Sequence, residues 1–475
     1  MSVLVGRKRE INVLQKASKS PKSEFVALYG RRRVGKTFLV REVFQYQFDF
    51  QLIGLANATT EQQLLNFHVS LQRTDLSHEH ELPTSWFQAF QQLITYLHSV
   101  NEDRKKVIFL DELPWLDTPN SDFLMALEHF WNSWATNRKD ILLITCGSAA
   151  SWMIRELIHN HGGLHNRLTQ RIQIQPFTLA ETEEMLRNRG HVLNRYQILQ
   201  LYMVMGGIPY YLDALEVGKS AAQNIDALCF QSWGLLAKEF PHLFASLFNQ
   251  PGSYEQLIRA LGTKRKGLTR REIIAATQAS SGGRLSQQLV ELEESGFVTR
   301  YPDFSQIKKE TTYRLSDFYS LFFLRFIQNR TAFDPGTWLQ SLDHPAIRAW
   351  SGYAFEQICL VHIRQLKQAL GISGVQSQAS TWQSRSTESN AQIDLLIDRR
   401  DQVINLCEIK FALHPYSITK SYAQKMRDRT HLFISETETS KAPFLTMITT
   451  YGVKQNSHSL GLVQAEVKMD DLFQP

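Results

Sequence analysis

Apolar and polar positions divide this chain into stretches with different periods. Phe25-Val26-Ala27-Leu28-Tyr29, Val107-Ile108-Phe109-Leu110 and Ile141-Leu142-Leu143-Ile144-Thr145 are continuous apolar runs. Such runs predict strands buried on both faces, as in a parallel sheet. Thr37 to Phe44 has helical spacing directly after the first strand. Leu179 to Leu186, led by Thr178 with Glu181 three residues on, predicts a capped helix. A short alternating strand, Ile172-Gln173-Ile174, precedes it.

The later pattern predicts two more modules. Leu268 to Ile274 starts a helix with Thr269 as N-cap and Glu272 three residues on. Ser280-Ser281-Gly282-Gly283 turns, and Arg284 to Glu294 is a helix with Leu285, Leu289 and Leu292 on one face. Phe297 to Tyr301 and Thr311 to Leu315 then form a hairpin. Helix, turn, helix and hairpin in that order predict a winged helix. Further on come a helix from Ser351 to Leu366, a strand from Gln392 to Ile397, a turn at Asp398-Arg399-Arg400-Asp401 and a strand from Val403 to Lys410. Ser373 to Asn390, rich in Ser, Gln and Thr, reads as a long loop, and Asp334-Pro335-Gly336-Thr337 breaks the chain ahead of this region.

Chemistry enters between the first strand and the first helix. Gly30-Arg31-Arg32-Arg33-Val34-Gly35-Lys36-Thr37 is a complete G-x-x-x-x-G-K-[ST] loop in a strand–loop–helix context. Its glycines let backbone N–H groups turn toward phosphate oxygens, and the helix N-terminus adds partial positive charge. Lys36 is expected to reach the β- and γ-phosphates of ATP, and the Thr37 hydroxyl to ligate Mg²⁺. Asp111-Glu112 ends the second strand, where α/β sheets open their ligand crevice. Asp111 is expected to hold Mg²⁺ through water and Glu112 to orient the attacking water. Thr145 and Ser148 are either γ-phosphate sensors or hydroxyls satisfied by nearby backbone, and Arg167 and Arg171 are either charge-neutralising arginines or solvated ones.

Composition narrows the class. A chain of 475 residues, 43% hydrophobic, predicts several domains with sizeable cores. No apolar run approaches the ~18 residues that predict a membrane span. The N-terminal residues lack the pattern of a signal peptide, and four scattered cysteines show neither disulfide nor zinc spacing. A cytoplasmic location is therefore expected. The net charge of +6 leans toward a polyanionic partner.

Two further segments carry a resemblance. Val5-Gly6-Arg7-Lys8-Arg9-Glu10 resembles the GRxxE box of STAND and AAA+ relatives, and Gly206-Gly207-Ile208-Pro209 resembles the GxP element of their helical lid. With the phosphate loop between them, the chain resembles the archaeal-type ATPase family. That resemblance implies that Gly6 and Arg7 pack near the adenine and Pro209 by the nucleotide. It implies an α/β fold class: a P-loop NTPase parallel sheet with helical lid, winged helix and a C-terminal restriction-endonuclease-like α/β domain. The expected limits are 1–175 for the ATPase core, 176–239 for the lid, 240–330 for the winged helix and 345–475 for the nuclease-like domain.

The last domain brings a second chemistry. Strand period two puts Glu408 and Lys410 on one face, and strand pairing brings Asp394 near Glu408. With Glu356 upstream, Glu…Asp…Glu-x-Lys is the PD-(D/E)XK pattern, in which carboxylates hold Mg²⁺ or Mn²⁺ and Lys410 orients water. Lys420, Tyr422 and Gln424 are candidates for a substrate groove or for a solvated helix face. Lys264, Arg265, Lys266, Arg270 and Arg271, with Lys308 and Lys309 in the hairpin, make a basic patch, and Arg284, Ser286 and Gln287 would face a DNA groove. Glu291, Glu293 and Glu294 on the same helix oppose phosphate contact. ATP and DNA are the expected partners, a homo-oligomer is admissible, and no membrane is expected. The function expected is an ATPase gating a DNA-binding or DNA-cleaving domain; the alternative is a nucleotide-dependent switch or scaffold that binds DNA or a protein.

Overall fold

The computed structural model describes residues 4–76, 79–100, 104–158, 163–164, 166–245, 247–248, 250–280, 282–302, 304, 311–330, 336–384 and 391–475. Lys308, Lys309, Ser281 and the Asp334-Pro335 break lie outside the described residues. The chain forms two compact units, Met1–Pro176 with Ala245–Asn249, and Phe177–Phe244 with Gln250–Pro475.

The first unit is built on a parallel sheet. Its strands are β1 (Glu24–Tyr29), β2 (Phe50–Ile53), β3 (Lys106–Asp111), β4 (Ile141–Cys146) and β5 (Gln170–Gln173). Their order is β2-β3-β4-β1-β5, with every neighbouring pair parallel. All six residues of β3 and of β4 are buried, which is why those segments carry no polar alternation. Strand β2 was not legible as a strand: only Phe50 and Leu52 of its four residues are buried, too short a signal to stand out. Helices Thr60–Thr74 and Trp86–Ser99 fill the crossover between β2 and β3. Trp86 is buried there, its ring 4.8 Å from that of Phe123.

The second unit opens with helices. Leu179–Asn188 has the expected capping box of Thr178 and Glu181. Helices Pro251–Gly262, Arg270–Thr277 and Gly283–Glu294 accompany a small sheet of β6 (Leu268–Thr269, between the first two helices), β7 (Val298–Pro302) and β8 (Thr311–Leu315), ordered β6-β8-β7 and antiparallel. The capping box of Thr269 and Glu272 starts the second of these helices. A larger sheet follows: β9 (Ser377–Gln383), β10 (Gln392–Arg399), β11 (Val403–Lys410), β13 (Ala442–Thr449) and β15 (Ala465–Lys468), ordered β15-β13-β11-β10-β9. Pairs β9–β10 and β10–β11 are antiparallel, whereas β11–β13 and β13–β15 are parallel. Strands β12 (Tyr416–Ser417) and β14 (Val453–Lys454) make a short parallel pair.

Three local expectations are corrected. The loop expected from Ser373 to Asn390 contains strand β9, an edge strand whose hydrogen bonds come from β10 rather than from its own apolar content. Asp398 and Arg399 continue β10 instead of turning. The helix expected from Ser351 to Leu366 breaks at His362, which leaves helical backbone between Pro345–Val361 and Ile363–Ala369. No helix among the described residues is long and apolar enough to cross a membrane. All four cysteines are free and buried.

His362 ties its break to the first helix of the unit. Its Nε2 accepts from the Leu179 N–H at 3.0 Å and its Nδ1 donates to the Ile358 carbonyl at 2.8 Å. The Nε2 contact needs the neutral ring, and burial, opposed by the Ile358 bond and Glu181, pulls its pKa down to about 4. An unfolded His titrates near 6.5. Between those values the unfolded chain binds the proton and the folded chain does not, so stability is full above about pH 6.5 and falls toward about pH 4. The expected loss is on the order of 3 kcal/mol for this unit. Chemical denaturation from pH 7 to 4 should show that slope flattened in His362→Gln; an identical slope in the variant counts against it.

Candidate functional site

The phosphate loop follows β1 and is shaped by two glycines. Gly30 has φ +136°, and a Cβ there would lie 2.4 Å from the Ile174 carbonyl oxygen. Gly35, at φ +88°, starts helix Lys36–Val43 without any side-chain cap, leaving first-turn N–H groups for an anion. Arg33 also adopts a left-handed φ of 70°, and Val34 and Arg31 are buried. Arg32 completes the loop, half-buried.

The loop's cation and hydroxyl are both engaged. Lys36 is buried, and its Nζ donates to the carbonyls of Gly30 at 3.0 Å and Arg31 at 2.9 Å. Burial lowers its pKa, with Cys146, Glu112 and Asp111 opposing. Thr37 Oγ1 donates to Asp111 Oδ2 at 2.8 Å, which brings a hydroxyl and a carboxylate oxygen to one point. Burial raises the Asp111 carboxyl, and the Thr37 bond works against that. These are hard oxygen donors of the kind Mg²⁺ takes.

Glu112 follows in left-handed backbone at φ 48°. Its Oε2 accepts from Ser148 N at 3.1 Å and Ser148 Oγ at 2.7 Å. Ser148 therefore stands at the carboxylate expected to orient water, a contact the sequence did not reveal. Thr145 instead donates to the Val26 carbonyl at 3.3 Å, the backbone-satisfied alternative. Arg7 is buried, and its Nη2 donates to the Val34 carbonyl at 3.1 Å, which ties the N-terminal box to the phosphate loop. Gly6 precedes it at φ 60°. Arg167 and Arg171 are exposed. Pro209 begins the short helix Pro209–Asp213 in the second unit, after Gly207, where a Cβ would meet the Phe177 carbonyl oxygen at 2.2 Å.

The C-terminal carboxylates lie on and beside the larger sheet. Register Leu395↔Cys407 puts Asp394 opposite Glu408 across β10 and β11. Glu408 is buried and its oxygens are occupied: Lys410 Nζ lies 2.7 Å from Oε1, Arg429 Nη1 2.6 Å from Oε2, and Tyr422 also donates to Oε1. Burial alone would raise the Glu408 carboxyl, but Lys410 and Arg429 outweigh it and hold the carboxyl below its usual range. Asp394 accepts from Gln392 Nε2 at 3.1 Å, and burial followed by Glu408 raises its carboxyl. Burial pushes Glu356 up to about 8, with Asp394 adding and Lys410 opposing. Among the described residues, no three acidic, histidine or cysteine side chains are placed to hold one ion. Glu356 and Asp394 offer oxygens suited to Mg²⁺ or Mn²⁺; Glu408, as paired, does not.

Residues 4–215 match the model of an ATPase domain predominantly from Archaea. That segment is an archaeal-type P-loop ATPase domain. Uncharacterized protein MJECL04 of Methanocaldococcus jannaschii is 22% identical over 417 residues, covering 86% of this chain and 88% of its own. The Walker-type ATPase PABY2304 of Pyrococcus abyssi has a similar structure, with TM-score 0.50, 16% identity and coverage of 68% of this chain and 96% of its own, which shows a shared fold. The ORC2 protein of Aeropyrum pernix, in its ADPNP–ADP complexes, is similar at TM-score 0.41 and 15% identity, covering 68% of this chain and 92% of its own.

Sequence reasoning missed Arg429 in the C-terminal site. Tyr422 and Arg429 stand seven residues apart in helix Lys420–Thr437, so both project from one face. That spacing was the available signal. In the ATPase domain, Lys36→Ala removes the charge expected at the β- and γ-phosphates, and Glu112→Gln removes only the carboxylate expected to orient water. Calorimetry should find ATP binding lost in the first variant. The second should bind ATP and turn it over on the order of 10² times more slowly. Equal ATP affinity in wild type and Lys36→Ala counts against these roles.

Proposed function

We propose that the ATPase domain uses nucleotide binding and hydrolysis to gate a C-terminal unit that binds DNA and, once Glu408 is released from Arg429, cuts it with a divalent ion. The Thr37–Asp111 hydrogen bond carries the nucleotide half, because it joins the two oxygens that would hold Mg²⁺ beside the loop. Mg²⁺ would supply charge neutralisation on the phosphates. Lys36 offsets charge at the β- and γ-phosphates, Glu112 orients water, and Ser148 holds Glu112 in line.

The DNA half is supported by residue order and by charge. The helices and hairpin from 251 to 315 are read as a winged helix, with Lys264, Arg265 and Arg271 exposed on it. Glu356, Asp394, Glu408 and Lys410 follow in the order of a PD-(D/E)XK site. A second reading is a nucleotide-dependent switch or scaffold that holds DNA or a protein without cutting. The ion pairing of Glu408 favours it, since a paired carboxylate is a poor metal ligand.

Nicking of supercoiled plasmid with Mn²⁺, with and without ATP, separates the two. Cleavage by wild type that disappears in Asp394→Ala and Glu408→Ala supports the cutting unit. No cleavage under either condition leaves the switch, and an Asp394→Ala variant as active as wild type moves the chemistry to other residues. DNA affinity should fall steeply with salt, because each neutralised phosphate releases counterions. Reversing Lys264, Arg265 and Lys266 to Glu should flatten the log–log slope by roughly two, since Lys264 is paired with Glu272. An unchanged slope makes this module a packing element.

A further inference from the structure

We infer that the basic loop of the helix–helix–hairpin module and the carboxylates Glu356 and Asp394 form one cleft for a DNA phosphodiester strand, a site that neither segment makes alone. This rests on the DNA-binding reading above and names where the strand lies. An open cleft of about 530 Å³ is lined by Lys264, Arg265, Lys266, Arg271 and Arg314 from the module, and by Glu356 and Asp394 from the C-terminal segment. Lys264 is spent on Glu272, which also lines the cleft, at 2.5 Å. Four cations then remain with two carboxylates, an excess that suits a polyanion.

Packing holds the two walls together. Phe304 N donates to the Thr381 carbonyl of β9 at 2.9 Å, and the Phe304 ring lies 5.4 Å from that of Phe433, against the core around Trp382 and Ile393. The cationic loop is equally constrained. Gly267 has φ +81°, and a Cβ there would meet the Tyr313 carbonyl oxygen at 2.4 Å, so only glycine lets the loop lie this close to β8. Arg314 Nε donates to the Lys266 carbonyl at 3.0 Å. Arg265 sits 5.6 Å from the ring centre of Tyr353, one helical turn from Glu356 on the same helix. The cation is thus carried across to the helix that bears the carboxylate.

Trp382, buried in the core beneath, supports the β9 side of the cleft. Arg284, Ser286 and Gln287 are exposed on helix Gly283–Glu294 and do not line this cleft. The charge arrangement therefore puts a phosphodiester beside Glu356 and Asp394, rather than on the helix expected to read a groove.

Fluorescence anisotropy of the full chain with a labelled DNA oligonucleotide, in EDTA across a salt series, tests this without turnover. R265E/R271E should weaken binding at least about tenfold and lower the salt slope by about two. Assayed at pH 9, where Glu356 is ionised, E356Q/D394N should tighten binding about tenfold in EDTA, because the neutral amides no longer repel the phosphate. If the double variant folds poorly by circular dichroism, Asp394→Asn alone should shift affinity in the same direction. Affinity in EDTA unchanged by neutralising the carboxylates overturns the shared cleft, as does R265E/R271E binding like wild type. Wild type that binds no DNA sinks the parent reading as well. Wild type that binds with the expected pattern but never cuts supports the cleft and removes only the cleavage reading.

Discussion

Parallel strand order is the constraint on which the nucleotide site depends. Strand β4 lies between β1 and β3, so the loop after β1, the carboxylates after β3 and Ser148 after β4 all emerge at the same edge of one sheet. Parallel strands put every carboxyl end on one side, which is where α/β proteins open a ligand crevice. Asp111 reaches Thr37 across 74 positions of chain only because of that order. Lys36 is buried with its charge against two loop carbonyls, an arrangement costly to desolvate unless those oxygens accept its protons.

The second unit uses charge differently. Glu408 is satisfied by a lysine two residues on and by two side chains of one later helix, so its charge is spent inside the protein. Glu356 and Asp394 are left with raised carboxyls and an open cleft. Buried charges that lose a partner are expensive, so moving Arg429 would alter Glu408 and Asp394 together. The two carboxylate environments divide what the sequence motif presents as one set.

Local sequence determined what depends on near neighbours. The glycines and lysine of the phosphate loop, the apolar runs of β1, β3 and β4, the capping boxes at Thr178 and Thr269, and the hairpin of β7 and β8 were all legible, because each rests on contacts within a few residues or on burial of a whole strand. Strand period also put Glu408 and Lys410 on one face, and their 2.7 Å contact follows from it.

Tertiary structure alone decided the rest. Strand β9 is polar and exists because β10 offers it a ladder. His362 ends a helix whose pattern runs on, because its ring holds the Leu179 N–H from 183 positions away. Ser148 meets Glu112, Arg7 meets Val34 and Arg429 takes Glu408, and none of these pairs shares a local period. Periodicity reports which side of an element is buried. Which charged group from a distant segment arrives there depends on strand order and helix docking, and that is a property of the folded chain.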